Sequence, residues 1–177
     1  MNAIIYTTTE SPVGTYLLTG VRHESAPGGV VLTGLTLRVW SEDRNRPVSE
    51  IDDKWEYAPE EFEYAAEQLH AYFRGDLKEF DVELAPHGTG FQRRVWDELR
   101  KIPYGTTTTY GKITAAIGLD RSAARAVGGA VGSNPLGILI PCHRVIGANG
   151  SLTGYADGLS TKESLLVLEG VLPTPLA

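Results

Sequence analysis

The chain carries one cysteine, and it stands in the run Ile138-Leu139-Ile140-Pro141-Cys142-His143-Arg144-Val145. A thiol followed by an imidazole and a guanidinium, at the end of an apolar segment, is a nucleophile with a base and a cation at hand. Such neighbours can raise the thiolate fraction of a cysteine that is otherwise mostly neutral at pH 7. The competing reading is that a lone cysteine is a small buried hydrophobe. Adjacent residues do not face each other in regular structure, so Cys142 and His143 are expected to communicate through a bridging water.

The surrounding residues decide between the two readings. Ile140-Pro141-Cys142-His143-Arg144-Val145 resembles the active-site motif of the O6-alkylguanine-DNA alkyltransferases. The likeness runs through Phe91-Gln92, Val95-Trp96, Ile102-Pro103-Tyr104-Gly105, Tyr110-Gly111, Ala123–Gly128 and Asn134-Pro135. It continues through Gly154-Tyr155 and Lys162 to Glu169-Gly170, covering residues 88–170 in order. The first 85 residues match only in length and pattern.

The resemblance implies a chemistry and a set of roles. Cys142 is the alkyl acceptor, His143 the base, and Glu169 the acid that orients the histidine. Tyr110 is the phenol near the guanine, able to protonate the leaving heterocycle. Asn134 braces the helix-turn-helix against the cysteine loop. The carbonyls of Cys142 and Val145 accept from the guanine amino group, and Tyr155 and Ala156 line the lid of the substrate pocket. Some relatives carry a hydroxyl where Ala156 stands. The product is a thioether, and no second thiol exists to resolve it, so the protein is expected to act once, without a cofactor.

Arg121–Gly132 is unusual for a helix that reads DNA. It offers two arginines on a surface of Ala and Gly, where a major-groove reader presents Asn, Gln or several Arg. Gly128 and Gly129 each cost about 1 kcal/mol of helix propensity relative to Ala. One explanation is close packing inside the domain. The other is a helix slim enough for the minor groove, which is only about 6 Å wide. The resemblance favours the second, with Arg125 filling the gap left by an extruded nucleotide and Ala126, Gly128 and Gly129 against the DNA. A non-catalytic lesion binder is the alternative function, followed by a transcription factor and a thiol hydrolase.

A net charge of −6 argues at first against a nucleic-acid binder. The halves differ, however: residues 1–85 carry −9 and residues 86–177 carry +3. The basic residues gather in the half that holds Cys142. Double-stranded DNA containing O6-alkylguanine is the expected partner, bound with modest and salt-sensitive affinity. One cysteine excludes an internal disulfide and a multi-cysteine zinc site, so no metal is expected. No basic leader and no apolar stretch of membrane-spanning length is evident. A cytoplasmic monomer, independent of membranes, is the expectation.

The elements that must position these residues follow from pattern. The fold class is α+β, with an N-terminal domain over 1–85 and a C-terminal DNA-binding and alkyl-acceptor domain over 86–177. Ile4–Thr8, Tyr16–Thr19 and Val30–Val39 predict a small antiparallel meander. Ser41–Ala58, with Arg44 and Arg46, predicts a long surface loop. Pro59–Phe73 predicts an amphipathic helix ended by Gly75, and Phe80–Leu84 a strand. The second half predicts helices around Phe91–Leu99, over Tyr110–Ile117, and from an Asp120 or Ser122 cap to Gly132, the last two a helix-turn-helix. Leu136–Ile140 predicts a buried extended run, Asn149-Gly150 a hairpin turn, and Ser160-x-x-Glu163 a capping box opening a final helix.

Overall fold

The computed structural model describes residues 2–38, 40–41, 46–47 and 50–176. The chain divides into two compact units, Met1–His87 and Gly88–Ala177.

The first unit is a sheet with a helix. Strands β1 (Ile5–Ser11), β2 (Gly14–Arg22) and β3 (Val30–Leu37) form the expected antiparallel meander. Two short strands, β6 (Glu56–Tyr57) and β7 (Glu83–Leu84), extend it in the order β6-β1-β2-β3-β7, and both outer pairings are parallel. β7 (Glu83–Leu84) is all that forms of the strand expected over Phe80–Leu84. β6 (Glu56–Tyr57) lies inside the segment expected to be a loop, as does most of the small β4–β5 pairing, Trp40–Ser41 with Arg46–Pro47. Residues 42–45, including Arg44, and 48–49 lie outside the described residues.

The central strand β2 is buried from Tyr16 through Gly20, which marks it as covered on both faces. Its register shifts at Thr19/Gly20. A Cβ at Gly20 would stand 2.6 Å from Val30 Cγ1, so only glycine passes there. A 3-10 turn, Pro59–Phe62, leads into α1 (Glu63–Phe73), which buries Leu69 and Tyr72. Gly75, at φ +79°, follows the helix end.

The second unit is mostly helical, so the α+β assignment holds across the chain. Helix α2 (Gly90–Leu99) opens on a capping box that the sequence reading missed: Thr89 accepts from Gln92 N, and the Gln92 side chain accepts from Thr89 N. Val95, Trp96 and Leu99 form its buried stripe. The Trp96 indole donates to the Ala130 carbonyl at 2.8 Å, locking α2 to α4 (Ala124–Gly132). Helix α3 (Tyr110–Ala116) starts at the Thr109 cap, and Gly118 at φ +80° turns the chain out of it. Asp120 then caps the 3-10 turn that leads into α4, accepting from Ser122 N and from the Ser122 hydroxyl. That is the predicted helix–turn–helix.

Three local expectations fail. Leu136–Ile140 is buried as expected but is coiled: Ile140 N donates to Leu136 O at 2.9 Å, and Ile138 adopts φ +68°. Apolar content signals burial but cannot separate a strand from a compact turn. The turn at Asn149-Gly150 forms, with Gly150 at φ +81°, but no hairpin follows. Instead β9 (Val145–Ile146) pairs in parallel with β8 (Thr108–Thr109). Finally, Ser160 is already inside α5 (Leu159–Leu168), whose cap is Gly158 with no side-chain hydrogen bond, so Ser160 and Glu163 form no capping box.

Candidate active site and DNA-binding face

The β8–β9 pairing is what assembles the site. Thr109 ↔ Ile146 places the start of α3, and so Tyr110, beside the exit of the cysteine turn. Cys142, His143 and Arg144 themselves occupy one turn of 3-10 helix, all three buried. Asn134, just beyond the end of α4, holds that turn. Its Oδ1 accepts from Leu136 N at 3.0 Å. Its Nδ2 donates to the Ile140 carbonyl at 2.7 Å and to Cys142 Sγ at 3.2 Å.

The expectation of an activated resting thiol is corrected by its environment. Burial pushes the Cys142 pKa up to about 11; the Asn134 amide and the Lys162 charge lower it, and the Asp157 charge opposes them. Desolvation of the anion outweighs the neighbouring donors, so the thiol is neutral at rest. For such a thiol to act as a nucleophile, a base would have to take its proton.

A base stands next to it with its own partner. His143 Nε2 lies 2.6 Å from Glu169 Oε2, and neither side chain is exposed. Glu169 sits at the C-terminal cap of α5 and is further fixed by Arg144, whose Nε donates to Oε1 at 2.7 Å and Nη2 to Oε2 at 3.1 Å. Gly105 N adds a donor at 3.2 Å. A carboxylate so held is an acceptor, hence Nε2 carries the imidazole proton and Nδ1 the lone pair. Nδ1 is buried and makes no hydrogen bond within the described residues. Burial pushes the His143 pKa down from its ordinary value, with Glu169 partly opposing. Arg144 also donates to Ile102 O at 2.7 Å and lies over the Tyr104 ring.

The remaining expected residues fall around this centre. The Tyr110 hydroxyl donates to Thr153 O at 3.1 Å. The Cys142 carbonyl accepts from Val145 N, and the Val145 carbonyl accepts from Lys162 Nζ at 2.6 Å, each retaining a second lone pair. Tyr155 is half-buried and Ala156 exposed. The sequence reading gave Arg144 no specific partner and Lys162 no role. For Arg144 the signal was its place beside His143; for Lys162 nothing in composition marks a lysine as buried.

On α4, Val127, Ala130 and Val131 face inward while Arg125, Ala126 and Gly129 are exposed. Arg125 makes no hydrogen bond or ion pair within the described residues. A Cβ at Gly129 would meet nothing within 4 Å, and at Gly128 only Tyr110 Cδ1 at 3.9 Å. Packing inside the unit therefore does not require these glycines. Among the described residues no His, Cys, Asp or Glu cluster could hold a metal, and no helix is long and apolar enough to cross a membrane.

Comparison with known proteins accords with this geometry. Residues 90–171 match the family model of the 6-O-methylguanine DNA methyltransferase DNA-binding domain. The methylated-DNA–protein-cysteine methyltransferase of Methanosarcina acetivorans is 48% identical over 165 residues, covering 93% of this chain and 97% of the relative. The crystal structure of the Mycobacterium tuberculosis O6-methylguanine methyltransferase superposes with a TM-score of 0.78 at 44% identity, over 97% of this chain and 96% of that one. Mycobacterium tuberculosis OGT in complex with DNA gives 0.79 at 46% identity, over 95% and 94%. The chain belongs to the methylated-DNA–protein-cysteine methyltransferases, and its enzyme class is theirs.

Proposed function

We propose that the protein repairs DNA by moving the alkyl group from O6 of guanine to Cys142, once per molecule. The observation that carries this reading is a buried neutral thiol, gripped by Asn134, one residue from a histidine whose free lone pair is fixed by Glu169. His143 Nδ1 takes the thiol proton through a water relay as sulfur attacks the alkyl carbon. The S–C bond forms, the C–O6 bond breaks, and its electron pair stays on O6. Tyr110 supplies a proton to the departing guanine, and the proton lost by the thiol restores it. The Val145 and Cys142 carbonyls receive the guanine amino group, with Tyr155 and Ala156 over the pocket.

The DNA side rests on α4. Its bare exposed face, with glycines that internal packing does not demand, suits a close approach to the minor groove. Arg125 is the long free side chain there and takes the place of the flipped nucleotide in the stack. Asn134 links that helix end to the thiol. The protein acts on duplex DNA as a monomer in the cytoplasm, without cofactor.

Intact-protein mass after incubation with an O6-methylguanine duplex is the test. One methyl per molecule on Cys142, none on Cys142→Ala, and retained duplex binding by that variant are expected. Repair of several lesions per molecule would exclude single use, and binding without mass gain would turn the reading into a lesion binder.

A further inference from the structure

Lys162 is among the most deeply buried side chains of the protein, with no exposed surface. Its Nζ donates to the Val145 carbonyl at 2.6 Å and the Thr153 carbonyl at 2.9 Å. Among the described residues it has no carboxylate partner. Taking an ammonium out of water without a counter-ion is costly, and a neutral donor would satisfy two carbonyls without that cost. The charge therefore calls for a reason.

Two features supply one. Thr153 O accepts from Lys162 and from the Tyr110 hydroxyl, and Val145 lies on the strand leaving the cysteine turn. Lys162 thus joins α5, the cysteine turn and the segment that holds Tyr110. It also faces the thiol electrostatically: the Lys162 charge lowers the Cys142 pKa, while burial pushes the Lys162 pKa down and the Cys142 charge partly opposes that. The other groups acting on the thiol are the Asn134 amide, which favours the anion, and Asp157, which opposes it. Glu169 and Arg144 are committed to each other.

We propose that Lys162 is a positioning residue for the transfer. Its ammonium keeps the Val145 and Thr153 carbonyls, and through Thr153 the Tyr110 phenol, in register around Cys142, and its fixed charge favours the thiolate as the proton leaves. The proposal builds on the alkyl-acceptor role of Cys142.

The test uses the full chain with Lys162→Met and Lys162→Arg. Three quantities are measured: the rate of Cys142 alkylation by iodoacetamide at pH about 7, single-turnover transfer from an O6-methylguanine duplex, and affinity for undamaged duplex. A neighbouring cation is worth about one pKa unit or more. Lys162→Met should slow both alkylation and transfer by roughly tenfold or more at neutral pH. Duplex affinity should stay within about twofold, since phosphate contacts dominate it. Lys162→Arg should keep the alkylation rate while losing part of the transfer rate, because a planar guanidinium fits the two carbonyls differently. An unchanged alkylation rate or an unchanged transfer rate in Lys162→Met overturns the proposal. Should circular dichroism show that variant unfolded, slowed alkylation in Lys162→Arg, with the charge kept, overturns it equally. Slowed alkylation of Lys162→Met in a protein whose wild type transfers no methyl would leave the coupling standing and remove the acceptor role instead.

Discussion

His143 and Glu169 are joined by a 2.6 Å contact in which neither partner sees solvent, and Arg144 occupies both carboxylate oxygens of the same glutamate. The carboxylate is thereby committed as an acceptor on one side and charge-balanced on the other. In the proposed reaction its effect would pass through the histidine, by deciding which ring nitrogen has a lone pair to offer.

Glu169→Gln should slow methyl transfer by roughly 10- to 100-fold, a part of what general-base help is worth. It also leaves the buried Arg144 without its counter-charge, which costs on the order of 3–5 kcal/mol, so the melting temperature should fall. Rates are therefore compared well below the lower melting point. A variant that is less stable but transfers at the wild-type rate would confine Glu169 to a structural part.

The fold should lose stability as pH falls below about 6.5. Burial depresses the His143 pKa from its ordinary 6.5, so between the folded and unfolded values the unfolded chain binds more protons. Acid then favours unfolding, and the contribution present above 6.5 is lost as pH descends through the folded value. Melting curves from about pH 7 to pH 5, with His143→Gln as reference, measure this. A His143→Gln profile as steep as the wild type's would show that other groups carry the slope.

Gly129→Ala should act with opposite signs on fold and function. The site of the new methyl is open space, so the helix gains about 1 kcal/mol of propensity. That same methyl stands on the face assigned to DNA, and duplex affinity should drop several-fold. Higher melting temperature together with undiminished binding would take this face of α4 off the DNA.

Arg125→Ala separates extrusion from chemistry. If Arg125 replaces a flipped nucleotide in the stack, as proposed, its loss should disfavour the flipped state by about 1–3 kcal/mol. Transfer from duplex then falls roughly 10- to 100-fold. Reaction of Cys142 with free O6-methylguanine base, which needs no flipping, should be nearly unaffected. Equal losses on both substrates would place Arg125 in support of the site or the fold.

Periodic features were legible in the sequence. Val95, Trp96 and Leu99, and the pair of helices split by Gly118, occupy the helices their spacing implies. Features set by three-dimensional context were not. The apolar run Leu136–Ile140 reads the same whether extended or coiled, and nothing in it signals Ile138 at φ +68°. The Ser160–Glu163 spacing matched a cap, but Gly158 starts that helix and the true capping box lies at Thr89 and Gln92. The thiol was misjudged for the same reason. Its chain neighbours His143 and Arg144 suggest activation, whereas its depth, which no linear pattern encodes, sets its resting state.

That depth bears on how the protein survives before it meets a lesion. Peroxide and soluble electrophiles react with exposed thiolate. Cys142 is 7% exposed, and burial pushes its pKa up to about 11. A protein with a single sulfhydryl to give cannot lose it to sulfenic acid or to a passing small molecule and still serve. On the proposed reading, the burial that leaves thiolate formation to His143 would also act as a preservative, and shelf life would be gained by the same desolvation.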